Sequence, residues 1–565
     1  MQFKSINTPL LLLASLLIWA APVLATSPGV GAETRYITLN GQTLELVLVP
    51  SDPSRFAIEV NDPSARFYSA QLRNYPQSEG RVAYIGGQWQ GLLIHEGELH
   101  LIENLDTAPP PSTAVQPVRP AMAVRALQQD MNLGQCGYKT PSDLQSPAPD
   151  QQSSFGITAR SLMAQSLQID YDSFCLEQID GVCLVGELTL VFDDAFEDSF
   201  GAQYQAQAVA IAANVDLIYK QNFNIVFNRL RMAFGSGDVF TGGTNIDAVL
   251  DDMELKRVAG QTSAFDPNVF SILHFISGRT YFSEANRAVG LALGPTYGTN
   301  YASYPNPDIP LLCTGYAIGT SQIIGSGGNR AAFTSLVVAH EIGHNFGFLH
   351  DGDDPPASAC SATDFIMGPE LGSYTSTFSS CSAEVLAPNL NAIATIENCF
   401  DFPVDATITT DAGNPEETQK AGVLNTAYAI SVQSRSDRSA NLRVSGNINS
   451  SAATFLDASL DGTPCALGNS NTTYTCSING ATSHNLDLEI QAALSNLEIV
   501  HEVAVISADD FDVTDSNNIL TETIAVVDGR SSGTGSRLSG GSGGACNWLG
   551  LNLIVLLIIR RFRCS

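Results

Sequence analysis

The sequence predicts a multidomain chain: a central α/β domain, with a mixed twisted sheet and long helices, preceded by a β-rich segment and followed by a β-sandwich. Three observations carry this. Residues 34–105 alternate apolar and polar side chains at the period of a half-buried strand, as in Tyr36-Ile37-Thr38-Leu39 and Leu44-Glu45-Leu46-Val47-Leu48. Residues 161–403 switch between short apolar runs and longer stretches of helical spacing. Residues 405–527 are rich in Thr, Ser, Asn and Val and break into short runs between turn residues, the texture of a sandwich. At 565 residues the chain is too long for one core.

From the N-terminus, residues 1–25 read as a signal peptide: Lys4, an apolar stretch from Leu10 to Ala21, then Val23-Leu24-Ala25 as a small-residue cleavage site. The competing reading, a membrane anchor, needs a longer apolar run. Gly86-Gly87 marks a turn between strands. Residues 106–160 are rich in Pro, Ser, Gln and Ala, include Pro109-Pro110-Pro111, and read as a linker that closes a unit at 26–160.

The central unit, 161–403, begins with a strand over Leu184–Phe192 and a long helix over 202–220, whose Ala208, Ile211, Ala212, Val215 and Ile218 keep helical spacing. A strand is expected over 224–233, helices over 244–255 and 268–278, a short strand over Ala288–Leu293, and a helix over 331–346 ended by Gly347. The sandwich occupies 404–530. Residues 531–565 hold the flexible run Ser539-Gly540-Gly541-Ser542-Gly543-Gly544, an apolar segment over 548–559 and the basic end Arg560-Arg561-Phe562-Arg563. About a dozen apolar residues are short for a stable span. This tail resembles the Gly-Gly type of C-terminal sorting signal of Gram-negative bacteria, which implies processing by a rhomboid-type membrane protease. A permanent anchor is the alternative.

The formal charge of -30 comes without any Lys/Arg-rich block in the body of the chain, which argues against nucleic acid as a partner. The acidity fits the solvated surface of an exported protein. Calcium has no loop of fixed ligand spacing to support it. Eleven cysteines in an exported chain suggest disulfides. Local spacing proposes Cys175–Cys183, Cys360–Cys381 and Cys465–Cys476, and leaves Cys313 and Cys399 as a long-range pair. Cys136, Cys546 and Cys564 remain single.

The segment His340-Glu341-Ile342-Gly343-His344-Asn345-Phe346-Gly347-Phe348-Leu349-His350-Asp351 carries the chemistry. His340 and His344, four residues apart on a helix, present both rings from one face, a spacing that suits one zinc. Gly347 stops the helix and lets the chain return, so that His350 supplies a third ligand. Three protein ligands leave a fourth position open, the mark of a catalytic zinc rather than a closed structural one. Glu341, beside the first ligand, is placed as the general base. By composition, a shuffled chain shows this pattern roughly once in a hundred thousand trials. A core helix with stacked histidines therefore does not compete.

With Met367 in Phe365-Ile366-Met367-Gly368-Pro369, the pattern is similar to the metzincin signature of three histidines and a methionine turn. Asp351 points to the adamalysin (reprolysin, ADAM-like) branch. Ser271–Arg279 resembles that family's helix-to-loop segment before the edge strand, and Val289-Gly290-Leu291-Ala292-Leu293, Phe378-Ser379-Ser380-Cys381-Ser382 and Cys399-Phe400 resemble further segments of it, over about residues 165–403. The resemblance implies a metzincin fold with one catalytic zinc held by His340, His344 and His350. It implies Met367 as a packing floor and an edge strand at Gly290, Leu291 and Ala292 that pairs with an extended substrate. Gly368 and Pro369 would wall the substrate pocket. His274 is read as structural. Tyr68-Ser69-Ala70-Gln71-Leu72, Gly91-Leu92-Leu93-Ile94 and Leu99-His100-Leu101-Ile102-Glu103 resemble an ADAM-type propeptide. That would make residues 26–160 a propeptide and Cys136 either a switch on zinc's open position or a spare cysteine. No multibasic site marks its end, and Arg160 is the nearest basic residue to the expected junction. The expected function is a secreted or surface zinc metalloendopeptidase. Its alternatives are a surface adhesion protein with a vestigial protease domain and a structural zinc protein.

Overall fold

The computed structural model describes residues 32–51, 60–103, 105, 135–139, 171–235, 239–281, 288–294, 311–352, 357–369, 375–393, 395–448, 453–480, 483–492, 496–506, 510–514 and 517–527. The expected signal peptide, most of the linker with Arg160, and the C-terminal tail with Cys546 and Cys564 lie outside them. No helix among the described residues is long and apolar enough to cross a membrane.

Strands β1 (Glu33–Leu39), β2 (Gln42–Pro50), β3 (Arg66–Leu72), β4 (Tyr75–Ile85), β5 (Gln88–His95) and β6 (Glu98–Ile102) form an antiparallel sheet in sequence order. Tight turns join β1 to β2 at Asn40-Gly41 and β4 to β5 at Gly86-Gly87, with positive φ at all four residues. That conformation matches the twist of the flanking strands. One face of the sheet buries its own cluster, including Leu46, Leu48 and Leu93. From the other face, Phe67, Ala83, Ile85, Leu92 and Ile94 enter the core of the central domain.

The central domain is a mixed sheet with helices on both faces. Its strands are β7 (Gln135–Lys139), β8 (Leu184–Phe192), β9 (Ile225–Phe234), β10 (Ile272–Ser277), β11 (Ala288–Leu293) and β12 (Ile318–Gln322), in the order β9-β8-β10-β12-β11-β7. Neighbours are parallel except β11 and β12, which are antiparallel. The helices are α1 (Asp194–Phe200), α2 (Tyr204–Phe223), α3 (Ile246–Val258), α4 (Arg330–Asn345) and α5 (Ser380–Asn391). Helices α2 and α4 share one core, whereas α3 packs through Ile246, Val249, Leu250 and Met253 against Leu273, Phe275, Leu291 and Leu293 on the opposite face. Both faces of β8, β10 and β11 are buried, so their sequences read as continuous apolar runs.

Two expectations change. The helix expected over 268–278 is strand β10 for most of its length. Its apolar residues face two cores at once, and such a run has the same composition as a buried helix. The stretch read as linker contains β7, which joins the central sheet as its edge strand.

Strand β13 (Phe400–Thr410) starts in the central sheet, pairing Phe400 and Asp401 with β8, and continues into a β-sandwich. It crosses the boundary expected between 403 and 404. The sandwich adds β14 (Glu417–Gln419), β15 (Val423–Ser434), β16 (Asn441–Ile448), β17 (Thr454–Leu460), β18 (Thr463–Pro464), β19 (Ala466–Gly468), β20 (Thr473–Asn479), β21 (Ser483–Gln491), β22 (Leu497–Val505), β23 (Asp510–Asp512) and β24 (Ile519–Val527). One layer runs β18-β17-β21-β15-β13, with β23 beside β13, and the other β14-β24-β22-β16-β20-β19. Alternate residues of β15 and β16 point into the core between the layers.

Candidate metal centre and active site

Helix α4 is buried from Ala331 to Asn345, held between α2 and the sheet. The bend after it depends on Gly347, whose φ of 96° would strain a side chain. Its N–H donates to His344 O (3.0 Å), and Phe348 N–H donates to Gly343 O (2.9 Å). The chain then returns beneath the helix and delivers His350.

The Nε2 atoms of the three histidines converge. His340 and His344 are 3.2 Å apart, and His340 and His350 are 3.3 Å apart. The outer nitrogens of two of them face backbone carbonyls: His340 Nδ1 to Ile366 O at 2.7 Å and His344 Nδ1 to Phe348 O at 2.8 Å. A carbonyl accepts only, so each Nδ1 carries the proton and each Nε2 presents a lone pair. Burial pushes His340 down to about 3, aided by His350, and His350 down to about 4. Burial and the two neighbouring rings hold His344 well below its ordinary range. Neutral imidazoles with lone pairs facing inward repel unless a cation lies among them. Tetrahedral zinc with nitrogen at 2.0–2.1 Å sets its ligands about 3.3 Å apart, so the residues fit that ion.

Glu341 is fully buried, with the Cys136 thiol beside its carboxylate. Burial raises its pKa well above the carboxylate range, with the Cys136 thiol acting in the opposite sense. Such groups are costly and concentrate where a proton is to be taken up. Strand β11 passes against it: a Cβ on Gly290 would stand 2.2 Å from Glu341 Oε1.

The floor is the turn at Met367. A Cβ on Gly343 would lie 2.6 Å from Met367 Sδ, so the methionine packs under the helix as a support. Asp351 ties this turn to the ligand loop. Its N–H donates to Met367 O (2.9 Å), and its carboxylate accepts from Ser379 Oγ (2.6 Å). Burial raises Asp351 to about 6 against that hydrogen bond. Ser379 also caps α5 by accepting from Ser382 N–H.

Between β11 and the wall at Gly368 and Pro369 runs β7. It is parallel to β11, with Cys136 opposite Gly290, and Cys136 N–H donates to Pro369 O (3.2 Å). Ligand atoms of Cys136, His340 and Glu341 lie within 4.8 Å of one another. Burial, then the Glu341 charge, raises the thiol well above its ordinary range. Cys136 is free and buried.

The structure thus brings together His340, His344, His350, Glu341, Met367, Cys136 and both cleft walls. It contains the disulfides Cys175–Cys183, Cys313–Cys399, Cys360–Cys381 and Cys465–Cys476. His274 is not among the metal-binding groups. It lies buried in the sheet with Nε2 against Ser321 Oγ (2.8 Å), and burial lowers it to about 3. Two residues escaped sequence reasoning. Asn345 donates to Leu293 O (2.9 Å) and Ile318 O (3.1 Å), fastening α4 to β11 and β12. The Tyr138 ring lies over His344 and His350, with centroids 4.7 and 5.5 Å apart. Strand alternation from Cys136 places Tyr138 on the same face and would have found it.

Residues 202–392 match the model of the reprolysin-like metallopeptidases of family M12B. The match supports a metalloprotease, and metalloproteases of that family use zinc. No curated protein sequence matches the chain. Among solved structures, the CARDB domain of the PF1109 protein from Pyrococcus furiosus is similar in its solution form (12% identity, 22% of this chain and 95% of that chain, TM-score 0.15). The crystal form of that domain, in complex with di-metal ions, has 13% identity over 22% and 87%, with a TM-score of 0.14. A cohesin module of a Clostridium perfringens family 33 glycoside hydrolase has 11% identity over 22% and 97%, with a TM-score of 0.16. At such TM-scores the likenesses support no inference about this chain.

Proposed function

We propose that the chain is a secreted or surface-associated zinc metalloendopeptidase of the adamalysin-like metzincin type, made as a latent precursor. The observation that carries this is the convergence of three histidine Nε2 atoms beside a fully buried Glu341. His340, His344 and His350 would hold the zinc. When bound, the zinc supplies a Lewis acid that polarises the scissile carbonyl and makes water a nucleophile near neutral pH. Glu341 takes the proton of the attacking water and passes it to the leaving amine. The free backbone of β11 pairs with an extended peptide once β7 is gone, and Gly368 and Pro369 line the facing wall.

Latency follows from β7. It fills the place of a substrate strand, with the Cys136 thiol within 4.8 Å of ligand atoms of His340 and Glu341. Export is supported by four disulfides, which persist in oxidising compartments, and by the signal-like N-terminus.

The test is casein cleavage by the processed protein. Cleavage is expected with zinc, is lost with a chelator, and falls by about 10²–10⁴-fold in Glu341→Ala, with zinc still bound to the variant. A processed wild-type protein that binds zinc and cuts no unfolded protein would instead be a binding protein with a vestigial site.

A further inference from the structure

We infer that Asp247 and Asp251 of α3 form a specificity subsite that takes a basic side chain of the substrate, a seat occupied in the precursor by Lys139. This rests on the protease reading above. Lys139 Nζ lies 3.3 Å from Asp247 Oδ1 and 3.0 Å from Asp251 Oδ1. It is the cation that meets both carboxylates among the described residues. The neighbouring Lys256 pairs instead with Asp252, and Arg257 with Asp266. Asp247 and Asp251 are four residues apart on one helical face, where like charges repel. Removing β7 leaves them facing the cleft edge without Lys139.

The register says why a substrate side chain would arrive there. Lys139 is paired with Leu293, the last residue of β11. Paired residues on adjacent strands share a face of the sheet whichever way the added strand runs. Leu293 belongs to the cluster that contains Ile246, Val249 and Leu250 of α3, so any residue seated opposite Leu293 faces that helix. Gly290, three residues earlier on β11, abuts Glu341. The residue opposite Leu293 therefore lies about three positions from the scissile bond. The zinc face of the inhibitory strand is met by Cys136 and Tyr138, and the acidic pair meets the other face. The two contacts thus read different side chains of one bound strand.

Both carboxylates are partly solvated, with 31% and 45% side-chain exposure, so the preference is several-fold and sensitive to salt. The test uses the full-length chain and its Asp247→Asn/Asp251→Asn variant, each expressed with zinc and freed of β7 by limited proteolysis. Both are assayed on casein and on quenched peptides in which Lys, Arg or Gln is scanned across four positions on each side of the cleaved bond. Wild type is expected to favour Lys or Arg over Gln at one position by about three- to tenfold in kcat/KM. The variant loses that preference, its ratio of Lys or Arg to Gln peptide cleavage falling to about one. Casein cleavage by wild type with no basic preference, or a preference unchanged in the variant, overturns the subsite. Failure of processed wild type to cut casein or any peptide overturns the protease reading, and the subsite with it.

Discussion

Cys136 is the residue whose role the sequence left open, and the switch belongs to the function proposed above. It sits opposite Gly290, with its N–H bonded to the facing wall and its thiol near His340 and Glu341. Burial and Glu341 raise the thiol, so as an isolated group it would stay protonated. A cation at the histidine cluster reverses that preference, because the thiolate is the form that ligates metal. Full-length Cys136→Ala is therefore expected to gain casein-cleaving activity without removal of residues 26–160. The rise should be at least tenfold, equivalent to about 1.4 kcal/mol of latency. Tyr138 and Lys139 still hold the strand, so activity should remain below that of processed enzyme. A variant as silent as wild type would rule the switch out.

Among the elements, the six-stranded sheet docks on the central domain through its contact with helix α2. Lys220 and Gln221 of α2 bind Glu79 of β4 at 3.2 and 2.7 Å, and Arg81 reaches the buried Asp216 at 3.5 Å. Burial opposes the charge on Glu79, but Arg81 and Lys220 outweigh it and hold the group at about 2, below its ordinary 4.5. A depressed carboxylate stabilises the contact fully above its unfolded value, and that contribution is lost as the pH falls through the folded one. Docking of the sheet should thus weaken between about pH 5 and 2. Hydrogen exchange of β4 and β5 in full-length protein measures it. Glu79→Gln should start weaker at neutral pH and lose most of that acid dependence. An unchanged profile in the variant would place the titration elsewhere.

Across the whole molecule, β13 makes the central domain and the sandwich continuous. Val182, Val185 and Val226 of the central domain share a cluster with Phe511 and Val513 beyond it. Side-chain bonds cross nearby, from Ser436 to Glu177 and from Thr514 to Asp180. A chain ended at residue 403 loses β23 as the partner of Phe402 and Pro403 and uncovers those valines. It should be less stable to urea by about 2–4 kcal/mol, read from the loss of caseinolytic activity against a processed chain that ends after β24. Equal midpoints would mean that the sandwich is a passive attachment.

The sequence by itself determined the local chemistry: the helix of His340 and His344, the turn at Gly347, the strands Leu184–Phe192 and Ala288–Leu293, and the partners that short spacing could join, such as Cys175 with Cys183. These depend on periodicity, backbone freedom and ligand spacing, all of which act within a few residues. Tertiary structure alone decided that 268–278 contains a strand, because burial on two faces erases the alternation that distinguishes one. It also decided that a piece of supposed linker is the strand lying in the cleft. Gln135–Lys139 carries no apolar pattern of its own, and its pairing is supplied by the unpaired edge of β11, more than a hundred residues away. The seat of Lys139 between Asp247 and Asp251 has the same origin: charges distant in sequence meet only where the sheet edge and α3 bring them together.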